Sequence, residues 1–531
     1  MIATQNHFSM EYYKFTFSII EEMDTASHQS RSIGLDALFQ YTGSGVQFFS
    51  GMIFYLIIVR MFSTTSVGAI ALFLAIIGLF QIVFSFGLGA AAQHFTSYSI
   101  GKGDYNAAAK VFYRIICYGF AVSIVGFATL FLSSPLISSV FLHSSSYSGL
   151  VKLLSVVLLG NILFSILNGT LLGLQNFRLS AFINIVIWVL YYFGSIFLAY
   201  FVHSLNALII GWALGIFLGV LTELVLILKL LSKFKGQSNA VTGQTLMKYS
   251  LPIVLSGLIG YGAAYADRFV VAGLLNLSSL GIYNFALLVS SALGFLAAPF
   301  NNILMPKFSE LYGRGEWDSI SLIVRASSLL LNSMYVPAAL GIAAISPIIL
   351  VLLGGLDYEG GAVPLSIIML ISSIFVSQNI LVQAIASVRK TRIFLYSSTA
   401  AFAANIFFSY LLIPHFGLMG AAFGFSSVSA FTFFVLYAYA RKAGLVSFDI
   451  SGTAKIWLSA IVMFLLVSTL VEHFGKAIYL LPAYILAGFI VFISMARILR
   501  LFGKEDKELV LSLFPQNLKR IRKLISTFIL H

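Results

Sequence analysis

The sequence predicts an all-α polytopic membrane protein of about 14 transmembrane helices, with two six-helix lobes related by pseudo-two-fold symmetry and two extra C-terminal helices. Three observations predict this fold class: the composition, the spacing of apolar runs and an internal repeat. Of the 531 residues, 60% are hydrophobic and only 9% are charged. Soluble globular domains carry far more charge, so the chain falls in the membrane class.

The apolar runs have the length of about 18 to 25 residues that a helix needs to cross a bilayer. The predicted spans are residues 36–60, 67–92, 111–132, 151–172, 179–201, 207–230, 249–274, 281–306, 321–344, 364–388, 393–413, 417–440, 455–472 and 477–500. An even number of spans places both termini on the same side of the membrane.

The distribution of Lys and Arg predicts that both termini are cytoplasmic. With the N-terminus inside, all but four of the 31 Lys and Arg residues fall on the inner side. Arg60, Lys152 and Lys476 fall outside, and Arg268 falls within a span. Cytoplasmic loops collect basic residues, so we expect a multi-pass plasma-membrane protein. The same rule explains the net charge of +13 without a nucleic-acid partner.

The two lobes are inferred from an internal repeat. Gly101-Lys102-Gly103-Asp104, after the second span, pairs with Gly313-Arg314-Gly315-Glu316 at an offset of 212. Farther on, residues 174–178 pair with 388–392 at an offset of 214. Recurrence after equivalent spans indicates two copies of a six-span unit. Because six is even, both copies insert the same way, about an axis along the membrane normal.

The spans and the repeat divide the chain into five segments. These are a cytoplasmic N-terminal tail (1–34), an N-lobe with spans 1–6 (35–235), a C-lobe with spans 7–12 (236–445), spans 13–14 (446–500) and a basic cytoplasmic tail (501–531). The first tail lacks the pattern of a secretory signal. The last tail has apolar residues at helical spacing, which indicates either an amphipathic helix on the inner leaflet or a solvated tail.

The seventh span contains two adjacent charges, Asp267 and Arg268. Intramembrane charges are costly and usually face a cavity or a partner, so both are functional candidates. Neighbouring residues of a helix point about 100° apart, so the two side chains do not face each other. We therefore expect their partners on the first lobe or in a cavity. Two roles stay open, direct substrate contact and a lock between the lobes at the outer gate.

The other candidates for substrate binding or gating each have a structural alternative. Glu223 is a candidate titrating group, since burial disfavours an ionised carboxyl; the alternative is a carboxylate bonded to Lys229 or an interfacial residue. His94, Arg114 and Arg325 lie near the inner surface, as candidates for pyrophosphate contact or as interfacial anchors. Amides suited to sugar hydroxyls and two stacking rings complete the set: Asn301, Asn302, Gln378, Tyr261 and Tyr265. Interhelical hydrogen bonding is the alternative for the amides.

Enzyme chemistry fits the sequence poorly. The external connections are short, and the external carboxylates Asp357 and Glu359 lie in a Gly-rich turn typical of a solvated loop. The sequence shows no nucleophile constellation and no His/Cys/Asp cluster with metal-ligand spacing. The single Cys117 has no intrachain partner. The sequence therefore predicts a protein that is not an enzyme, with no catalytic residue, no cofactor and no metal.

Several stretches in order resemble the polysaccharide transporter family, which includes the O-antigen flippases, of the multidrug/oligosaccharidyl-lipid/polysaccharide exporter superfamily. The stretches are Val59-Arg60-Met61-Phe62, Gly87 to Gly89, Gly101-Lys102-Gly103-Asp104, Ser250-Leu251-Pro252, Asp267-Arg268, Gly281-Ile282-Tyr283, Pro306 with Phe308 and Ser309, and residues 411–422. The resemblance implies alternating access between two lobes, a cationic or polar central cavity, and a lipid-tail role for spans 13 and 14. Arg268 is the only basic residue deep in a predicted span, so the chain departs from a strongly cationic lumen.

We interpret the chain as a flippase that moves a polyprenyl-linked oligosaccharide from the inner to the outer leaflet for glycan assembly. The expected partners are this substrate, membrane lipids and polymerase or glycosyltransferase machinery, and the expected state is a monomer. Three alternatives stay open: a drug/cation antiporter, a lipid II flippase, and a membrane glycosyltransferase or polymerase.

Overall fold

The structure is a computed structural model that describes residues 29–501, except residues 233, 235–241 and 389. The side chains of residues 29–38 and of Asn302 also lie outside it, as do the predicted amphipathic tail and most of the N-terminal tail. Within the described ranges the regular structure is helical, with no strand.

The described residues of the first half form nine α-helices joined by short connections. They are α1 (Gln29–Met61), α2 (Thr64–Ser85), α3 (Leu88–Gly101), α4 (Tyr105–Leu132), α5 (Ser134–Phe141), α6 (Ser148–Gly173), α7 (Phe177–Val189), α8 (Ser195–Val202) and α9 (Leu205–Leu231). A π-helical segment, Leu190–Gly194, joins α7 and α8 into one span.

The second half repeats this order, and two further helices follow it. The helices are α10 (Gly243–Leu274), α11 (Leu277–Ser291), α12 (Gly294–Arg314), α13 (Trp317–Ala344), α14 (Ser346–Gly354), α15 (Ala362–Ile374), α16 (Gln378–Ser387), α17 (Arg392–Phe416), α18 (Leu418–Lys442), α19 (Ile450–Phe474) and α20 (Leu481–Ile498).

The number of membrane-spanning helices confirms the predicted fold class. Within the described residues, twelve helices are long and apolar enough to cross a membrane, or up to 14 if two bent pairs each count as one span. The bent pairs are α11 with α12, at 43°, and 356–374 with α16, at 44°. The predicted span 67–92 is interrupted at Phe86 and Gly87, where φ is 47° and 63°. Its final residues therefore belong to α3.

The repeat is visible in the backbone. Gly103 and Gly315 have φ of 73° and 76°, and each follows the last turn of a corresponding helix, α3 or α12. Glycine adopts this left-handed conformation at little cost. The structure adds a third match at the offset of 212 residues. Pro135 lies in the first turn of α5, and Pro347 lies in the first turn of α14. The Gly-Lys-Gly-Asp match therefore marks equivalent helix ends.

The two halves meet where α2 crosses α11. A β-carbon on Gly68 would lie 1.7 Å from the Leu277 carbonyl oxygen, and one on Gly281 would lie 2.1 Å from the Thr64 carbonyl oxygen. The Thr64 and Ser278 hydroxyl oxygens are 2.7 Å apart. These near-equivalent positions let the two backbones touch, which only glycine permits.

A second contact closes the same end of the bundle. Arg60, in the last turn of α1, donates from Nε to the Leu353 carbonyl at 3.0 Å and from Nη2 to the Leu352 carbonyl. These carbonyls end α14, where the helix dipole favours a cation. His143 Nε2 also lies 2.7 Å from the Ala272 carbonyl oxygen. We call this end of the bundle, which contains Arg60, Thr64 and Ser278, the Arg60 end.

The last two helices pack against the second half through a separate apolar cluster that includes Val336, Ile456 and Tyr484. Arg325 Nη2 of α13 lies 3.5 Å from Asp449 Oδ2, next to the start of α19. At the Arg60 end, Lys476 pairs with Glu359. Two ion pairs and an apolar face therefore attach α19 and α20 to the second half.

Candidate substrate site between the two halves

One face of α10 carries a stack of two tyrosines and a cation. Tyr261, Tyr265 and Arg268 are four and three residues apart, so they share a face. The Tyr261 and Tyr265 rings are stacked with centroids 4.4 Å apart, and the Arg268 guanidinium carbon lies 4.2 Å from the Tyr265 centroid. Arg268 Nη1 donates to the Ala264 carbonyl at 2.7 Å. The guanidinium is thereby held in place while its side chain stays partly exposed.

Residues from both halves lie near the Arg268 guanidinium. The Tyr55 hydroxyl of α1 lies within reach of Asn284 and of the Arg268 charge. Asn284 Oδ1, on α11, accepts from Arg268 Nε at 3.1 Å. Tyr192, in the π-helical segment, lies near Tyr265. We call these residues the Arg268 cluster: Tyr55, Tyr192, Tyr261, Tyr265, Arg268 and Asn284.

The cluster also touches α2. The Tyr261 hydroxyl donates to the Ala75 carbonyl at 2.7 Å. A β-carbon on Gly78 would lie 2.5 Å from that hydroxyl oxygen, so Gly78 leaves room for the ring. The cluster therefore lies between the halves rather than within one of them. Arg268 is six residues from the end of α10, or about 9 Å along the axis, on the side of the Arg60 end.

The chemistry of the cluster suits an anionic, hydroxyl-rich ligand. A guanidinium presents a fork of donors that matches phosphate oxygens. Tyrosine rings offer flat apolar faces with hydroxyl groups at their edges. The carboxyl groups of Asp267, on α10, and Glu223, on α9, are both fully buried. The exposed charge of the cluster is therefore positive.

Asp267 lies on the opposite face of α10, inside the second half. Its Oδ2 accepts from the Tyr283 hydroxyl at 2.7 Å, and its Oδ1 accepts from Asn405 Nδ2 at 3.3 Å. The expectation that its partners lie on the first lobe or in a cavity is wrong. The reason is that this face of α10 packs against α17, which carries Asn405. Among the described ion pairs, Asp267 and Arg268 do not pair with each other.

Replacing Asp267 with Ala should destabilise the protein. The Tyr283 hydroxyl and the Asn405 amide would each lose a buried partner, and an unsatisfied buried group costs about 1–3 kcal/mol. Thermal unfolding in detergent should show a lower midpoint for Asp267→Ala than for Arg268→Ala, whose side chain is partly exposed. Equal midpoints for Asp267→Ala and the wild type would contradict a structural role for Asp267.

The structure gives three other candidates partners away from the Arg268 cluster. Arg325 pairs with Asp449, as described, so it links α13 to α19. His94 of α3 stacks on Tyr249 of α10, with centroids 4.7 Å apart and planes at 14°. Glu223 Oε1 accepts from Asn168 at 2.8 Å, so the alternative of a bond to Lys229 is wrong.

The remaining candidates are spread over the second half and α4. Gln383 Nε2 donates to Asn301 Oδ1 at 3.3 Å, an interhelical bond between α16 and α12. Gln378 has a buried Oε1 without a recorded partner. Arg114 is partly buried on α4. In the described part of the chain, Asn301 and Gln378 form no hydrogen bond with the Arg268 cluster. The side chain of Asn302 is outside the described residues.

Sequence reasoning missed three residues of the cluster: Tyr55, Tyr192 and Asn284. Tyr55 and Asn284 lie more than 200 residues apart, so only the packing of α1 on α11 could bring them together. Tyr192 lies in a π-helical segment, and such segments often occur at functional sites. Periodicity does not distinguish that segment from ordinary helix.

A separate apolar groove lies between the second half and the last two helices. It has a volume of about 840 Å³. Its lining comes from α13, α14, α19 and α20 and includes Pro337, Gly341, Ile349, Met463, Gly488 and Phe492. This groove does not share residues with the Arg268 cluster, so the two features present different chemistry.

Solved structures place this fold among transporters. The chain is similar to the lipid II flippase MurJ in an inward closed conformation, with a TM-score of 0.68, 15% identity, and coverage of 87% of this chain and 98% of that one. An inward-facing multidrug resistance MATE family transporter of the MOP superfamily gives a TM-score of 0.58 at 14% identity, covering 75% and 94%. A point mutant of the Vibrio cholerae MATE transporter VcmN gives 0.53 at 13%, covering 78% and 99%.

At these identities the likeness shows the fold, which is that of MOP superfamily transporters. The sequence model of the polysaccharide biosynthesis protein family matches residues 57–359. The chain belongs to this family, which confirms the predicted family resemblance. No curated protein sequence matches it.

Proposed function

We propose that this protein moves a polyprenyl-linked oligosaccharide from the inner to the outer leaflet by alternating access of its two lobes. The observation that carries the proposal is the Arg268 cluster, one cation among four tyrosines between the halves. Arg268 binds a phosphate of the carrier, and the tyrosine rings stack on sugar rings. Lobe boundaries follow the repeat, 35–235 and 236–445, with spans 13–14 at 446–500.

The apolar groove supplies the second part of the proposed site. An isoprenoid tail is apolar and needs a surface of matching chemistry, and ligand pockets commonly have volumes of about 300–1,000 Å³. The groove lies within this range at about 840 Å³. The polar head occupies the Arg268 cluster, while the tail lies between α13 and α20.

The proposed topology puts both termini in the cytoplasm of a plasma-membrane protein. The Arg60 end then faces outward, and its contacts between the halves close the outer side. The protein acts as a monomeric transporter rather than an enzyme. Its product reaches the polymerase or glycosyltransferase machinery that assembles the glycan.

The choice of cargo tests this function against the antiporter alternative. The purified protein is reconstituted in liposomes with a fluorescent polyprenyl-pyrophosphate oligosaccharide, or with a cationic dye and an ion gradient. We expect leaflet transfer of the lipid-linked oligosaccharide and no dye export, because Arg268 repels a cation. Dye export without lipid transfer would show that the protein is an antiporter.

A larger side chain in the groove should slow the transfer of substrates that have long lipid tails. Gly341 faces the groove, and a β-carbon there would meet only Met463 Cε at 3.9 Å. Gly341→Phe should slow transfer of a long polyprenyl substrate about tenfold, because losing burial of two methylene groups costs about 1.6 kcal/mol. A short-tailed analogue should be transferred normally.

Gly273 provides the matched control, since a β-carbon there meets nothing within 4 Å and the residue lies outside the groove. Gly273→Phe should transfer both substrates like the wild type. Equal slowing of long and short tails by Gly341→Phe would remove the groove from the proposal.

A further inference from the structure

The first half contains a series of hydrogen-bonded polar side chains that is separate from the Arg268 cluster. Asn184 Nδ2 of α7 lies 3.3 Å from the Ser180 hydroxyl oxygen, and Asn168 Nδ2 of α6 lies 3.2 Å from the same oxygen. Asn168 Nδ2 also donates to Glu223 Oε1 of α9 at 2.8 Å. Asn184 is partly exposed, whereas Ser180 and Glu223 are fully buried. These hydrogen bonds therefore connect the partly exposed Asn184 amide to the enclosed Glu223 carboxyl group.

The two oxygens of the Glu223 carboxyl group have different surroundings. Glu223 Oε2 is buried and has no hydrogen-bond partner. A buried carboxylate without a cation or several donors is strongly disfavoured. The neutral acid needs less stabilisation, because only its hydroxyl is left without a partner. One donor at Oε1 and none at Oε2 therefore match a carboxylic acid that carries its proton on Oε2.

The neighbouring titratable side chains do not stabilise an ionised Glu223 carboxylate. The titratable side chains on the described helices packed against α9 are Lys152 on α6, Arg178 on α7, Tyr191 and Tyr192 in the π-helical segment, and Tyr200 on α8. Within the described residues, Asn168 donates the single hydrogen bond that the Glu223 carboxyl group accepts. Lys229, on α9 itself, is exposed.

We propose that Glu223 is a proton-binding site of the first half. It holds one proton on Oε2 in this conformation and releases it when α6, α7 and α9 separate enough to admit water along Asn184, Ser180 and Asn168. The ligand is a single proton, and the reaction is ionisation of the acid without any other bond change. Its role in driving transfer rests on the proposed function, whereas proton binding does not.

Infrared difference spectroscopy of the purified protein at neutral pH tests proton binding directly. A protonated carboxyl group gives a carbonyl band that shifts in deuterated water. We expect Glu223→Gln to remove one component of this band, and Asn168→Leu to shift it by removing the donor at Oε1. Asp267→Asn controls for the other buried carboxyl. A band unchanged in both the Glu223 and Asn168 variants would overturn the proposal.

Transfer in liposomes with an imposed pH gradient tests the coupling. The wild-type rate should change with the gradient, while the Glu223→Gln rate should not respond to it. A variant that responds like the wild type overturns the coupling role. If neither protein transfers the lipid-linked substrate, the proposed function fails, and the infrared result still decides whether Glu223 binds a proton.

Discussion

Transfer of the lipid-linked oligosaccharide should fall to background when Arg268 is replaced by Ala, without loss of folded protein. Arg268 is the one cation of the described cluster, and its loss removes charge-assisted bonds worth about 1.5–3 kcal/mol each. Losing two such bonds to a phosphate would slow transfer by a factor of about 100 or more. Leaflet transfer in liposomes measures the effect, with thermal unfolding as the check on folding.

Arg268→Lys is the matched control for this prediction. It keeps the charge but loses the planar fork that donates to Asn284 and stacks over Tyr265. We expect a rate between those of the wild type and Arg268→Ala. Unchanged transfer by Arg268→Ala would remove this residue from the mechanism.

A disulfide across the Arg60 end should stop transfer reversibly. The Thr64 and Ser278 hydroxyl oxygens are 2.7 Å apart, so cysteines at both positions can bond when this end is closed. Cys117, the single native cysteine, is first replaced by Ser. Oxidation of Thr64→Cys with Ser278→Cys should reduce transfer to background, because the halves can no longer separate there.

Reduction of the disulfide should restore the original rate. Thr64→Cys alone, oxidised under the same conditions, should transfer like its cysteine-free parent. Full transfer by the cross-linked protein would show that the halves do not separate at the Arg60 end. It would contradict the proposed outer gate at Gly68, Gly281 and Arg60.

The fold could be predicted from the sequence because membrane crossing and repetition leave local signals. Apolar runs locate the helices, and the Gly-Lys-Gly-Asp match locates equivalent helix ends at Gly103 and Gly315. The break at Phe86 and Gly87 was missed, since the apolar run continues through it. Composition alone does not show where such a run changes direction.

The site was only partly predictable. Arg268, Tyr261 and Tyr265, which the sequence singles out, lie in the cluster, since charge and aromatic spacing on one helix are local properties. Asp267 was misplaced because sequence shows that two neighbours point apart but not which face meets the other half. The sequence did not identify the partner of Arg325, Asp449, which lies 124 residues away in the chain. Such pairings depend on how helices pack, which no local pattern encodes.

Two-sided accessibility of the Arg268 cluster tests alternating access most directly. Ala264, an exposed residue whose carbonyl accepts from Arg268, is replaced by Cys in the Cys117→Ser background. A membrane-impermeant thiol reagent is then added to either side of oriented vesicles. We predict labelling from the inner side at rest, and from the outer side once the lipid-linked oligosaccharide is supplied. Labelling from one side only under both conditions would contradict alternating access.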